Sequence, residues 1–220
     1  MSEIDAKELG RQLMRPTGEN GLKVGENMNS SNKLIYDLII SQMKIEDRMR
    51  ILEIGFGNGK FIPRFFELNP SINMAGIDFS DIMCNEAKAA NKEWVEAGKL
   101  IVKCEDSQAI SFPDEYFDIV VSVNTVYFWQ PLEMHLNEIK RVLRKGGLLV
   151  TGYRPKEVMK NLPFAQEVFR LFDPEELQLE VEKNGFKVIK EERKETHRKS
   201  VDGSEVHSMD ICLIAEKPLI

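Results

Sequence analysis

The sequence predicts an α/β protein built on a seven-stranded, mostly parallel sheet, with helices on both faces and an antiparallel hairpin at the C-terminus. Three observations carry this expectation. Strand-like and helix-like patterns alternate from residue 50 to residue 153, the mark of crossover helices over a sheet. The strand-like runs are apolar without polar alternation, as in strands buried on both faces. After residue 185 two strand-like runs follow one another with no helix between them, so they cannot both be parallel neighbours.

The strands expected are Arg50 to Ile54, Asn73 to Asp78, Leu100 to Cys104, Phe117 to Val123 and Gly147 to Tyr153. Lys60 to Leu68 reads as the first crossover helix. Ser80 is a helix cap, and Met83, Ala87, Ala90 and Trp94 recur at helical spacing until Gly98 ends the run. Pro131 to Leu143 repeats that logic with Leu132, Leu136, Ile139 and Leu143 on one face. A helix opened by Asp173 and Pro174 closes near Gly185. Phe186 to Lys194 and Val206 to Glu216 then flank Val201-Asp202-Gly203-Ser204, whose Asp-Gly pair favours a reversing turn.

Ahead of the sheet, Arg15 to Gly21 and Met28 to Asn32 read as a glycine-rich polar segment. It precedes an amphipathic helix with Leu34, Ile35, Leu38 and Ile39. Residues 1–46 are therefore expected to form a lid and a helix, and residues 47–220 the main domain.

Bulk properties narrow the function. A chain of 220 residues suits one core, burying roughly 70% of its unfolded surface. No early run joins a basic start to an apolar stretch, and no segment approaches the ~20 apolar residues of a membrane span. The expectation is an unexported, cytoplasmic protein without a membrane span. The three cysteines lack CxxC spacing, and there is no clustered Asp/Glu/His set, so no metal site is expected. A formal charge of -6 disfavours nucleic acid as a partner and leaves a small molecule as the default; oligomeric state stays open. The mixed charges from Lys187 to Lys199 read as a solvated sheet edge.

The chemistry concentrates at strand ends. Ile51 to Lys60, ILEIGFGNGK, sets glycines at Gly55, Gly57 and Gly59 between a strand and a helix. Bare backbone there lets a ligand approach free amides. A GxGxxG dinucleotide loop would place its third glycine where Lys60 stands, so the pattern is (D/E)xGxGxG instead. The next strand ends at Asp78, at the distance where an acidic residue accepts bonds from ribose hydroxyls. The third ends in Cys104-Glu105-Asp106-Ser107, offering a carboxylate that suits an exocyclic amine.

Taken in order, Gly55-Phe56-Gly57-Asn58-Gly59 after Glu53, Gly76-Ile77-Asp78-Phe79-Ser80, Glu105-Asp106-Ser107 with Ser111 to Val120, and Ile139 to Leu149 resemble a family. It is the Rossmann-like (class I) S-adenosylmethionine-dependent methyltransferases of the ubiquinone/menaquinone-biosynthesis type (methyltransferase type 11). The resemblance spans Arg50 to Tyr153 and implies S-adenosylmethionine as cofactor, with S-adenosylhomocysteine as product. It further implies that Glu53 and the backbone of Gly55, Phe56, Gly57 and Gly59 hold the methionine part. Asp78 takes the ribose, Phe79 one face of adenine, and Asp106 the adenine amine, with the Ser107 amide nearby and Asn124 completing the set.

After the fourth strand comes Asn124-Thr125-Val126-Tyr127-Phe128-Trp129, without the prolines that family members acting on nucleobase or glutamine amines carry there. A small-molecule acceptor is the expectation. Tyr127, Phe128 and Trp129 either wall a pocket or roof the core, and Phe164 to Phe172 is a second candidate wall. In-line methyl transfer needs a general base only for an acceptor with a high pKa. No residue identifies itself as that base; Tyr127, His135, Tyr153 and His207 are the candidates, with His135 read chiefly as a core histidine. Two alternatives stay open: a nicotinamide (NAD(P))-dependent oxidoreductase, and a noncatalytic adenosyl-binding regulatory module.

Overall fold

The computed structural model describes residues 5–199 and 205–219. Its seven strands are β1 (Arg50–Ile54), β2 (Asn73–Asp78), β3 (Leu100–Cys104), β4 (Phe117–Val123), β5 (Leu143–Tyr153), β6 (Lys187–Lys199) and β7 (Glu205–Glu216). They lie in the order β3-β2-β1-β4-β5-β7-β6. The first five run parallel, and β7 is antiparallel to both β5 and β6. The Asp202-Gly203 turn expected between the last two strands lies outside the described residues.

Each central strand feeds two cores, which is why its sequence shows no polar alternation. Leu52 and Val120 pack on one face with Leu136 and Ile139 of α6 (Leu132–Val142) and Leu177 of α9 (Pro174–Lys183). Their neighbours Ile51, Ile119 and Val121 pack on the other face. There they meet Ile35 and Ile39 of α2 (Gly18–Gln42), Phe65 of α3 (Ile62–Leu68) and Ala87 of α4 (Asp81–Ala90). Burying a side chain of this size contributes about 1.5–3 kcal/mol.

Three local expectations differ from the structure. The helix expected to run from Met83 through Trp94 breaks at Asn91, which separates α4 from α5 (Lys92–Glu96). The buried Asn91 amide donates to the Ala87 carbonyl (2.9 Å) and the Gly59 carbonyl (3.1 Å), so the break ties the glycine loop to the helix. β5 begins at Leu143 instead of Gly147, and its pairing with β4 shifts register between Phe117 and Ile119.

The largest difference is N-terminal. The segment from Gly18 to Asn32, expected as a glycine-rich lid ahead of the helix, is itself part of α2, which continues unbroken to Gln42. A further helix, α1 (Ala6–Met14), precedes it, capped by the Asp5 carboxylate on the Glu8 amide. The chain between β5 and α9 carries two short helices, α7 (Lys156–Met159) and α8 (Ala165–Val168).

Candidate functional site

Strand order reverses between β1 and β4, and a cleft of about 1030 Å³, including its open mouth, lies at the carboxyl ends of β1 to β4. That is where open α/β sheets place ligands. The loop after β1 forms its floor. Gly55 and Gly57 both adopt positive φ, +72° and +58°. A Cβ on Gly55 would collide with the Thr125 methyl, whereas one on Gly57 would meet only the Met28 methyl at 3.9 Å. Gly55 is thus required by packing, and Gly57 presents bare backbone to the cleft.

Asp78 ends β2 beside that loop. Its Oδ2 accepts from the Gly57 amide (3.1 Å) and its Oδ1 from the Ser80 amide (2.9 Å). Burial raises its pKa to about 6 against those two hydrogen bonds. Phe79 lines the cleft with the Arg15 guanidinium 5.4 Å over its ring. Asp106, Ser107, His135 and Trp129 line the far end, and Asn124, at φ +54°, lines the end of β4.

Glu53 does not itself line the cleft. It is 1% exposed and stands behind the lining, with the Tyr36 hydroxyl of α2 donating to its Oε1 at 2.5 Å. Its Oε2 is buried and unpartnered. Burial lifts the Glu53 pKa to about 7, opposed by the Tyr36 bond and helped by the nearby Asp78 charge. Tyr36, which lines the cleft and stacks on Phe61 at 3.9 Å between centroids, was not among the residues read from sequence. Its spacing on α2 marks a buried face and nothing more. Gly59 also stands outside the lining: a Cβ there would meet Ala87 and Asn91, so it serves helix packing.

The candidate bases separate clearly. The Tyr127 hydroxyl is buried away from the cleft lining, donating toward Asn124 Oδ1 and the Arg154 carbonyl (both 3.1 Å) and accepting from the Arg154 amide. Burial pushes its pKa far up. Tyr153 lies in the core on β5, with its pKa likewise raised by burial. His207 sits on the hairpin beside Glu195 at 3.6 Å. Of the four, only His135 lines the cleft.

Phe128 lines the cleft, and Phe169 packs edge-on against it at 4.7 Å, so the 164–172 stretch backs the wall without forming it. The roof comes from Leu13, Met14 and Pro16 at the α1–α2 corner and from Met28, Asn29 and Asn32 of α2.

The donor set fits an adenosyl sulfonium. Asp78, Glu105 and Asp106 line the cleft, and no lysine or arginine does among the described residues. The buried, unpartnered Glu53 oxygen adds a further carboxylate close enough to Asp78 for their charges to interact. Comparison with known proteins agrees. Residues 52–151 match the family model described as a methyltransferase domain. Those residues make up a methyltransferase domain, and the fold around them is that of the class I S-adenosylmethionine-dependent methyltransferases. The chain is 26% identical over 133 residues to an uncharacterized methyltransferase of Bacillus subtilis, covering 60% of this chain and 71% of that one. A fatty-acid O-methyltransferase of Mycolicibacterium smegmatis is 29% identical over 143 residues, 61% of this chain and 48% of its own length. The chain thus spans most of the first relative and about half of the second. The solved structure of a SAM-dependent methyltransferase from Aquifex aeolicus superposes with a TM-score of 0.67 at 17% identity, covering 86% of this chain and 96% of that one.

Proposed function

We propose that the protein transfers a methyl group from S-adenosylmethionine to a small molecule bound beneath the α1–α2 roof. The observation that carries this reading is the convergence of Gly57, Asp78, Asp106 and Ser107 on one cleft under that roof. When bound, the cofactor supplies an electrophilic methyl on a sulfonium. Gly57 offers unhindered backbone to the methionine part, Asp78 accepts from the ribose hydroxyls, and Asp106 accepts from the adenine amine. Glu53 and Asp78 set a negative field around the cation, and the roof excludes water from the reacting atoms. The acceptor end is walled by Met14, Met28, Phe128, Asn29, Asn32 and Thr125, an apolar surface with uncharged polar groups. Such a wall suits a small, partly apolar acceptor. A relative named for methylating fatty acids supports the same size class.

Calorimetric titration with S-adenosylmethionine, S-adenosylhomocysteine and NAD tests the cofactor reading. Both adenosyl compounds should bind and NAD should not. Transfer of tritium from methyl-labelled S-adenosylmethionine into a metabolite extract then tests the acceptor class. Heat with NAD and none with the adenosyl pair would overturn the reading.

A further inference from the structure

The end of the sheet opposite the cleft holds a second cavity, about 580 Å³ including its open mouth, at the amino ends of β1 to β4. Strand register explains its composition. Arg50 is the Cα partner of Asn73, Met74 that of Leu100, and Ala75 that of Ile101. Side chains alternate along a strand, so Arg50, Asn73 and Lys99 form one row across three strands, with neighbours about 4.8 Å apart. The row lies on the face that Leu52 and Ala75 bury further along. Residues 105–116 join β3 to β4 without a helix, and on the β3 edge of that face Ile101 is 44% exposed.

The row has cations without acids. The Arg50 guanidinium stacks over the Tyr116 ring at 4.5 Å and forms no ion pair among the described residues. Asp118, next in the row on β4, is already engaged: its Oδ1 pairs with Arg144 Nε at 2.7 Å, and its Oδ2 accepts from the Arg50 backbone amide at 2.6 Å. Lys99 Nζ donates to the Ser71 carbonyl at 3.4 Å and likewise pairs with no carboxylate among the described residues. No Asp or Glu lines the cavity among the described residues, the reverse of the cofactor cleft. Beside the two cations lie Ile101 and Phe112.

We propose that this cavity is a second ligand site, separate from the cleft, for a small organic anion: its carboxylate or phosphate takes the Arg50 fork and the Lys99 ammonium, and its apolar body lies on Ile101 and Phe112. A guanidinium fork matches either head group in bidentate fashion, and stacking on Tyr116 holds its plane before the ligand arrives. The two cations attract the head group in a chain whose net charge of -6 repels anions elsewhere, so affinity falls as salt rises.

The test follows amide chemical shifts while the full chain is titrated with phenyl phosphate, benzoate, inorganic phosphate and benzyl alcohol. Both aromatic anions should move the amides of Asn73, Lys99 and Ile101 and leave those of Gly57 and Asp78 in place. Whichever of the two binds tighter identifies the head group. Inorganic phosphate lacks the apolar body and benzyl alcohol the charge, so both should bind more weakly. Arg50→Met keeps an unbranched stem against Tyr116 and the backbone bond to Asp118; it should weaken the tighter anion roughly 10-fold, as for a charge-assisted hydrogen bond. If that variant does not fold, Lys99→Met should lower affinity in the same direction. Parent-like affinity in the folded variant would overturn the proposal. So would shifts centred on Gly57 and Asp78, or benzyl alcohol or inorganic phosphate binding as tightly as the aromatic anions. None of these outcomes bears on the adenosyl-cofactor reading, which is tested separately at the cleft.

Discussion

Glu53 and Asp78 end adjacent strands as two buried carboxylates with pKa values raised to about 7 and about 6. Each costs the empty protein stability when ionised. A carboxyl whose folded pKa exceeds its unfolded value holds extra proton on folding between the two values, so stability falls as pH rises through that window. For Glu53 the window runs from 4.5 to about 7. Glu53→Gln keeps an acceptor for Tyr36 and removes the charge. It should stabilise the ligand-free protein at pH 8 by roughly 1–3 kcal/mol. Little gain is expected at pH 4.5, where the parent carboxyl is protonated, and cofactor binding should weaken. Urea denaturation at the two pH values checks this; equal gains at both would show that the charge is not the cause. A bound cation reverses the sign, so affinity for S-adenosylmethionine should rise with pH between about 6 and 7 and level off above. Asp78→Ala should weaken S-adenosylhomocysteine binding by about 1–3 kcal/mol, as for hydrogen bonds to a charged group. Asp81→Ala is the control, since that carboxylate accepts from the Cys104 thiol instead. Calorimetry in which only the Asp81 variant lost affinity would reassign the ribose contact.

At the scale of elements, what the sequence made legible followed from local rules. β1, β2 and β4 begin and end where apolar runs meet polar or glycine positions, because strands buried on both faces tolerate no other composition, whereas β3, at the edge of the sheet, alternates and leaves Ile101 exposed. The strand-end acids were legible for the same reason: an acid closing an apolar run has a fixed place at the carboxyl end of the sheet. Tyr36 was not, because partnership with Glu53 joins residues from two elements and has no local signature. The start of α2 was misread because Gly18, Gly21 and Gly25 with neighbouring Asn and Ser carry low helix propensity. Tertiary contact overrides that propensity. A Cβ on Gly21 would lie 2.8 Å from the Pro16 backbone, and one on Gly25 2.9 Å from the Met83 methyl, so these glycines let the corner close. The Ser80 hydroxyl fastens that corner by donating to the Pro16 carbonyl at 2.6 Å. A deletion that took the whole segment to Asn32 would cut through α2. Deleting residues 1–16 removes only α1 and the corner. That variant should fold and bind S-adenosylhomocysteine with faster dissociation. Stopped-flow release rates matching the parent's would show that the corner does not cover the ligand.

Across the whole molecule, the C-terminal hairpin does more than close the sheet. β7 runs antiparallel to β5 with Ile211 opposite Tyr153, which carries the next residue, Asp210, just past the carboxyl end of β5. There its Oδ1 accepts from the Arg154 Nε at 2.9 Å, while the Arg154 Nη2 donates to the Ser31 carbonyl of α2 at 2.6 Å. The roof helix is therefore tied to the last strand through one ion pair. Asp210 is fully buried and its Oδ2 has no partner, so the pair pays for its desolvation only while Arg154 is present. Arg154→Met should leave an uncompensated buried carboxylate and destabilise the fold by about 3–5 kcal/mol. At about 2–4 °C per kcal/mol for a chain of this size, Tm should fall by roughly 6–20 °C. The double variant Arg154→Met/Asp210→Leu removes the charge along with its partner and should recover most of that loss. Its affinity for S-adenosylhomocysteine should nevertheless stay below the parent's, because α2 has lost its tether to β7 through Arg154. Calorimetric unfolding of the two variants, followed by titration of the double variant, separates the two effects. Recovered stability with parent-like affinity would show that the ion pair serves the fold alone and that the roof is held by packing.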